Sequence, residues 1–128
     1  MVSATAARRH GQAVDTRLDP RLPAAAELFL RIPGEVAICV PNDLACVTTY
    51  VLAEQEDWFE PELAFVRRWF RAGMVAIDVG ANHGVYALTL ARLAGPDGLV
   101  VAVEPGAEVA GRLERGIARN AADCRLVR

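Results

Sequence analysis

The sequence predicts an α/β fold in which parallel strands alternate with helices. Residues 74–79 and 99–103 form short apolar runs, interrupted only by Asp78, of the kind found in strands inside a parallel sheet. A loop bounded by Gly80 and Gly84 follows the first run, and a helix-like apolar run follows the loop. Because parallel strands are joined by crossovers that usually contain a helix, this order indicates consecutive strand–helix–strand units.

The N-terminal part of the chain has a different character. Three β-type runs, at residues 28–32, 36–40 and 45–52, are separated by Pro-Gly and Pro-Asn-Asp turn sequences. They predict a small antiparallel hairpin or meander within residues 24–57. Residues 1–23 are mostly small, polar or basic, and the stretch lacks the apolar core of a signal peptide, so we predict a disordered lead-in there.

Residues 58–128 are predicted to form the α/β unit, which begins with a helix at Pro61, a residue suited to the first helical position. The buried face of this helix is predicted to consist of Phe59, Leu63, Val66 and Phe70. An arginine cluster is expected to form a solvated face, and Gly73 to end the helix. The arginines are Arg67, Arg68 and Arg71.

The remaining elements follow in regular alternation. We predict a strand at 74–79, a helix at 85–94, a strand at 99–103 and a helix at 107–120. A third strand is expected to open at 124–127. Continuous apolar strands of this kind predict a sheet that helices cover on both faces.

Composition excludes several classes of function. A formal net charge of −2 provides no basic field for nucleic acid. Three cysteines without a Cys-x-x-Cys pair, together with two histidines, argue against a metal site and favour buried free thiols. No apolar run approaches the length of a membrane span. We therefore predict a cytoplasmic protein with no nucleic-acid or membrane partner.

The loop after the first parallel strand is the candidate binding site. Gly80 and Gly84 permit a ligand to approach the backbone, and the following helix directs unpaired N–H groups towards it. Asp78, at the strand end, can accept hydrogen bonds from a cationic amine. Glu104, at the end of the next strand, can accept them from both hydroxyls of a ribose.

The details of this loop favour one cofactor. A dinucleotide fingerprint requires a central glycine, where this chain has Asn82. An acidic residue before the loop also repels a pyrophosphate but suits a ligand that carries an ammonium group. Asp78 and Glu104 therefore favour S-adenosylmethionine over NAD, although an NAD-binding Rossmann enzyme remains a weaker alternative.

These residues resemble the FkbM-type family of S-adenosylmethionine-dependent methyltransferases. The similarity spans residues 36–128 and is strongest at 78–86 (DVGANHGVY) and 100–105 (VVAVEP). Further matching positions lie at 49–52, 56–60, 73–74 and Asn120. The resemblance implies the N-terminal part of a class I, seven-stranded, Rossmann-like methyltransferase fold, preceded by the small antiparallel segment.

The resemblance also implies residue roles. The methionine part of the cofactor would contact Asp78 and the loop of Gly80, Ala81 and Gly84, and Asn82 would order that loop or touch the cofactor. Glu104 would hold the ribose hydroxyls, and Pro105-Gly106 would lie near the adenine. No catalytic base is assigned. His83 is predicted to be a solvated loop residue, and Trp58, Trp69 and Tyr86 are predicted to be packing residues.

The implied activity is methyl transfer, with O-methylation of a sugar, glycan or other small metabolite as the leading hypothesis. Class I methyltransferases draw their acceptor pocket largely from later strands, so this chain is expected to cover the cofactor-binding half and to be inactive alone. The alternative is a non-catalytic remnant or interaction fragment. The oligomeric state stays open.

Overall fold

A computed structural model describes residues 18–23 and 25–128 of the chain. Most of the predicted lead-in at 1–23 lies outside the described residues. The helices and strands in chain order are β1 (Glu27–Ile32), β2 (Val36–Pro41), α1 (Val47–Gln55), α2 (Pro61–Trp69), β3 (Val75–Val79), α3 (Val85–Ala94), β4 (Leu99–Val103), α4 (Ala107–Asn120) and β5 (Cys124–Val127).

Strands β1 and β2 form the predicted antiparallel hairpin. Their register runs from Glu27 opposite Pro41 to Ile32 opposite Val36. The three-residue turn between them has positive φ at Gly34 (87°) and Glu35 (60°). Strand β2 is almost entirely buried, since it lies between β1 and the helices that follow.

The predicted third β-type run at 45–52 is wrong, because these residues belong to helix α1. Its β-branched residues pack at helical spacing, with Thr48, Val51 and Leu52 buried on one side. The hydroxyl of Thr49 donates a 3.0 Å hydrogen bond to the carbonyl of Pro41, which fixes the helix beside β2. Packing against the hairpin thus overrides the strand preference of these side chains.

Helix α2 begins at Pro61, as predicted. Leu63 and Phe70 are buried and Val66 is half-buried, which confirms most of the predicted apolar face. Phe59 is the exception, with 56% of its surface exposed. It precedes the helix in an extended segment, so helical spacing does not determine where its side chain points.

The parallel sheet has the order β3-β4-β5, with Val75 opposite Leu99 and Val100 opposite Cys124. The predicted bounds of α3, β4, α4 and β5 are confirmed, and β3 begins one residue later than predicted. Right-handed crossovers that advance in one direction place their helices on the same face of a sheet.

The prediction that helices cover both faces of this sheet is therefore wrong for the residues described. Val100 and Ala102 face the helices and are fully buried. On the opposite face, Val75, Ile77 and Val79 are 66–79% exposed. Covering that face would require an element whose connection reverses direction, and the described part of the chain contains no such connection.

Asn120 joins the hairpin to the parallel unit. Its Oδ1 accepts a 2.8 Å hydrogen bond from the N–H of Ala37, and its Nδ2 donates to the carbonyls of Ala37 and Gly116, both at 2.7 Å. A single side chain thus satisfies both backbone groups of Ala37 in β2. This gives a structural reason for an asparagine at the end of α4.

The structure also bears on the cysteines, on metal binding and on membrane spans. The three cysteines are free thiols, of which Cys39 is buried and the other two are half-buried. Within residues 18–23 and 25–128, no cluster of three potential metal ligands occurs. In that same part of the chain, every helix is too short or too polar to cross a membrane.

Candidate functional site

The loop between β3 and α3 is held firmly against the end of β4. The N–H groups of Gly80 and Ala81 both donate to the carbonyl of Val103, at 2.9 and 3.0 Å. Three loop residues have positive φ, namely Gly80 (79°), Asn82 (51°) and Gly84 (90°). The loop therefore has one defined path, and its shape depends on residues that tolerate the left-handed region.

The two glycines of this loop serve different purposes. A Cβ on Gly80 would meet no atom within 4 Å, so this glycine borders open space. A Cβ on Gly84 would lie 2.4 Å from Cδ1 of the buried Leu113 in α4. The predicted reason for glycine, room for a ligand, is compatible with Gly80. At Gly84 the reason is the close packing of α3 against α4.

Glu104 lies at the end of β4, next to the loop, because β3 and β4 are paired and parallel. Its Oε2 accepts a hydrogen bond from the N–H of Asn82 at 2.9 Å. Its Oε1 accepts one from the N–H of Gly106 at 2.8 Å. Since each carboxylate oxygen can accept more than one hydrogen bond, Glu104 orders the loop and can still accept from a ligand.

Asp78 points towards the helix-covered face of the sheet and is half-buried. Its Oδ2 is buried without a hydrogen-bond partner among the described residues. Burial raises the pKa of this carboxyl, while a hydrogen bond from the backbone of Ala87 opposes that effect. An unpaired carboxylate oxygen in such a place is stabilised by a donor or a cation.

The prediction of a solvated His83 is wrong, because only 5% of its surface is exposed. Neither ring nitrogen has a hydrogen-bond partner within the described chain. Burial and, secondarily, the positive charge of Arg112 lower the pKa of His83, against a smaller opposing effect from Glu104 and Glu108. A buried, neutral imidazole can both donate and accept one hydrogen bond.

A cavity of about 220 Å³ adjoins the loop. The strand end and the loop contribute Asp78, Gly80, Ala81, Asn82 and His83 to its lining. The rest of the lining comes from earlier segments and from the first turn of α3, and consists of Thr48, Trp58, Glu60, Val85 and Tyr86. The fold thus brings four of the predicted site residues together around one cavity.

The remaining predicted site residues lie outside this cavity. Glu104 and the exposed Pro105 are at the neighbouring strand end, and Glu104 is linked to the loop through Asn82. Gly84 is buried in the helix packing. A ligand that reaches both carboxylates must therefore lie across the loop, from the cavity by Asp78 to the end of β4.

Glu60 was not among the predicted site residues. Its Oε2 accepts a 2.6 Å hydrogen bond from the hydroxyl of Tyr86. That bond is the main reason why the pKa of Glu60 is lowered, whereas burial is the main reason why the pKa of Tyr86 is raised. Tyr86 and Trp58 were predicted to be packing residues, and both also border the cavity.

The segment that carries Trp58 and Glu60 is fixed by an ion pair. Arg67 donates to both carboxylate oxygens of Asp57, at 2.6 and 2.7 Å. Asp57 also accepts a 2.8 Å hydrogen bond from the N–H of Trp58. The predicted solvated role of Arg67 is therefore wrong, since its guanidinium positions one wall of the cavity. Trp69 does not pack in the core but stacks on Phe65 at the surface.

A larger cleft of about 590 Å³ lies elsewhere, where the α3–β4 turn meets the C-terminus of α4. Arg31, Arg92 and Arg119 border it, and Arg31 is paired with Glu35. The C-termini of α3 and α4 disfavour an anion there. The smaller cavity beside the glycine loop is the better candidate for a binding site, because residues that line it have buried polar atoms without hydrogen-bond partners.

Comparison with known proteins supports the fold. No family model matches this sequence, and no curated protein matches it significantly. Among solved structures, it is similar to a SAM-dependent methyltransferase from Aquifex aeolicus, with 20% identity, a TM-score of 0.53 and coverage of 67% of this chain and 46% of that one. A putative rRNA-methylase from Clostridium thermocellum has 14% identity, a TM-score of 0.50 and coverage of 52% and 37%.

A SAM-dependent O-methyltransferase from Thermotoga maritima is also similar, at 16% identity and a TM-score of 0.49, covering 94% of this chain and 60% of that one. The chain thus spans between about a third and three-fifths of the length of these three structures. The described residues have the α/β fold of class I, Rossmann-like methyltransferases, with three parallel strands preceded by a small antiparallel sheet.

Proposed function

We propose that the protein binds S-adenosylmethionine and belongs to the S-adenosylmethionine-dependent methyltransferases. The observation that carries the proposal is the loop after β3, which lies between two strand-end carboxylates, Asp78 and Glu104. The solved structures named above are described as a SAM-dependent methyltransferase and an rRNA-methylase, and the fold agrees with theirs.

The residues present fit this cofactor in two respects. Gly80 borders open space, so a ligand can approach the backbone at that point. The unpaired Oδ2 of Asp78 can accept a hydrogen bond from the methionine part, and Glu104 retains acceptor capacity for the ribose hydroxyls. When bound, the cofactor supplies a methyl group on a positively charged sulfur, and the protein aligns that carbon with an acceptor.

We further propose the finer assignment to the FkbM-type family, with O-methylation of a sugar, glycan or other small metabolite in the cytoplasm. Its support is the sequence resemblance at residues 78–86 and 100–105. An NAD-binding role is the weaker alternative, since Asn82 replaces the central glycine and Asp78 would repel a pyrophosphate. A non-catalytic remnant or interaction fragment is the second alternative, and it predicts no methyl transfer.

Isothermal titration calorimetry of the full-length protein with S-adenosylmethionine tests the proposal. We expect Asp78→Ala and Glu104→Ala each to weaken binding by roughly 10- to 100-fold, the effect of removing a charged hydrogen-bond acceptor. Asp97→Ala, in the exposed turn before β4, is the matched control and should bind like the wild type. Wild-type affinity in both site variants, or no binding by the wild type, would refute the assignment.

A further inference from the structure

The cavity beside the loop has an unusual charge. Two carboxylates border it, Asp78 at the strand end and Glu60 just before α2. No lysine or arginine is among the described residues that line it. Two carboxylates near one cavity repel each other unless a cation or donors lie between them. The chemistry of this cavity therefore favours a positively charged group.

Glu60 is held in place from two directions. Tyr86, in the first turn of α3, donates its hydroxyl to Oε2, and the side chain of Trp58 also interacts with this carboxylate. Each carboxylate oxygen can accept more than one hydrogen bond, so Glu60 keeps acceptor capacity. The Asp57–Arg67 ion pair fixes the segment that precedes it. Glu60 is also the N-cap residue of α2, which ties its backbone to the start of that helix.

A second observation points independently to a ligand in this cavity. His83 lines the cavity, and only 5% of its surface is exposed. Neither of its ring nitrogens has a hydrogen-bond partner among the described residues. Buried polar side chains in folded proteins are nearly always hydrogen-bonded. The lining of the cavity is therefore negatively charged and also has polar atoms that can bind a ligand.

We propose that Glu60 and Asp78 form a cation subsite that takes the α-ammonium group of the cofactor's methionine part. Glu60 supplies an acceptor oxygen, Tyr86 positions that carboxylate, and Trp58 borders the same space. The inference rests on the proposed function and extends it, because Glu60 belongs to a segment that precedes the parallel sheet. The sequence pattern of the glycine loop gives no indication of this residue.

A comparison of two ligands tests this subsite separately from the rest of the binding site. S-adenosylhomocysteine carries the α-ammonium group, whereas 5′-methylthioadenosine has the adenosine and sulfur but no amino-acid part. By calorimetry on the full-length protein, we expect Glu60→Gln to weaken binding of S-adenosylhomocysteine by about 10- to 100-fold. Binding of 5′-methylthioadenosine should not change. Tyr86→Phe should show the same selectivity with a smaller loss.

Glu62→Gln is the matched control, because it removes one carboxylate from an exposed position in α2 that does not line the cavity. It should leave both affinities unchanged. Equal loss of both ligands in Glu60→Gln, or no loss of either, would overturn the subsite. Should Glu60→Gln fail to fold in a thermal unfolding scan, the selectivity of Tyr86→Phe decides in the same way. A wild type that binds neither ligand would instead refute the proposed function.

Discussion

The two sides of the loop between β3 and α3 differ in how many of their polar groups have hydrogen-bond partners. Towards β4 and α4, Glu104 accepts from two backbone N–H groups and Gly84 packs closely against Leu113. At the cavity on the other side, Asp78 and His83 have buried polar atoms without partners in the described structure. On the first side, called the closed side, the polar groups are paired and the packing is tight. The second side, called the open side, has the features of a binding surface.

This difference shows that one glycine motif combines two separate requirements. Residues on the closed side set the path of the loop, so changing them should alter stability, and Glu104 also has a proposed role towards the cofactor. Residues on the open side are not fully satisfied in the protein alone, so changing them should mainly alter ligand binding. The experiments below test whether this division holds.

The largest effect is expected for Gly84→Ala, at about 3 kcal/mol less free energy of unfolding. The new Cβ would adopt a left-handed φ of 90° and meet Cδ1 of the buried Leu113 at 2.4 Å. Gly80→Ala, with a φ of 79° and no atom within 4 Å, should lose about 1–2 kcal/mol from backbone strain alone.

Urea denaturation of both variants measures this contrast. Equal losses would mean that backbone conformation alone requires the two glycines, and the packing role of Gly84 would be wrong.

A smaller, pH-dependent effect is expected at His83. Burial holds the pKa of the folded histidine below its ordinary value of 6.5, so the unfolded chain binds a proton where the folded protein does not. The free energy of unfolding should therefore decrease as the pH falls from about 7 to 5, by at most about 1.4 kcal/mol per pH unit. Asp57 and Glu60, whose pKa values are lowered, contribute only at more acidic pH. Asp78, whose pKa is raised by burial, acts in the opposite direction, so the slope is assigned by comparison with the variant His83→Leu.

Denaturation at several pH values, with His83→Leu as the test variant, measures this slope. The variant should lose most of this slope. An unchanged slope in His83→Leu would show that the histidine is not buried in its neutral form.

Local patterns were sufficient to predict most of the parallel unit from the sequence. Apolar runs and glycine turns depend on residues close in the chain, and the predicted bounds of α3 and β4 agree with the structure. The strand-end position of Asp78 and Glu104 follows from the same alternation, because parallel strands end at the same edge of the sheet.

The features that were missed depend on contacts distant in sequence. Helix α1 forms because Thr49 and its neighbours pack on the hairpin, although their β-branched side chains favour a strand. The burial of His83 depends on a loop path that Asn82, with a positive φ, helps to set. Glu60 reaches the cavity because Tyr86, on another element, binds its carboxylate.

The smallest effect is expected for Glu104→Gln, at about 1 kcal/mol of unfolding free energy because the site is partly open to solvent. A glutamine offers one carbonyl oxygen and one amide nitrogen, so either Asn82 or Gly106 must lose the acceptor for its N–H. Glu108→Gln is the control, since that side chain is 80% exposed and its partner Arg112 is also paired with Glu27. It should change stability by less than about 0.5 kcal/mol. Thermal unfolding of both variants without ligand decides whether Glu104 belongs to the closed side. If Glu104→Gln and Glu108→Gln were equally stable, Glu104 would have no role in ordering the loop and would keep only its proposed role towards the cofactor.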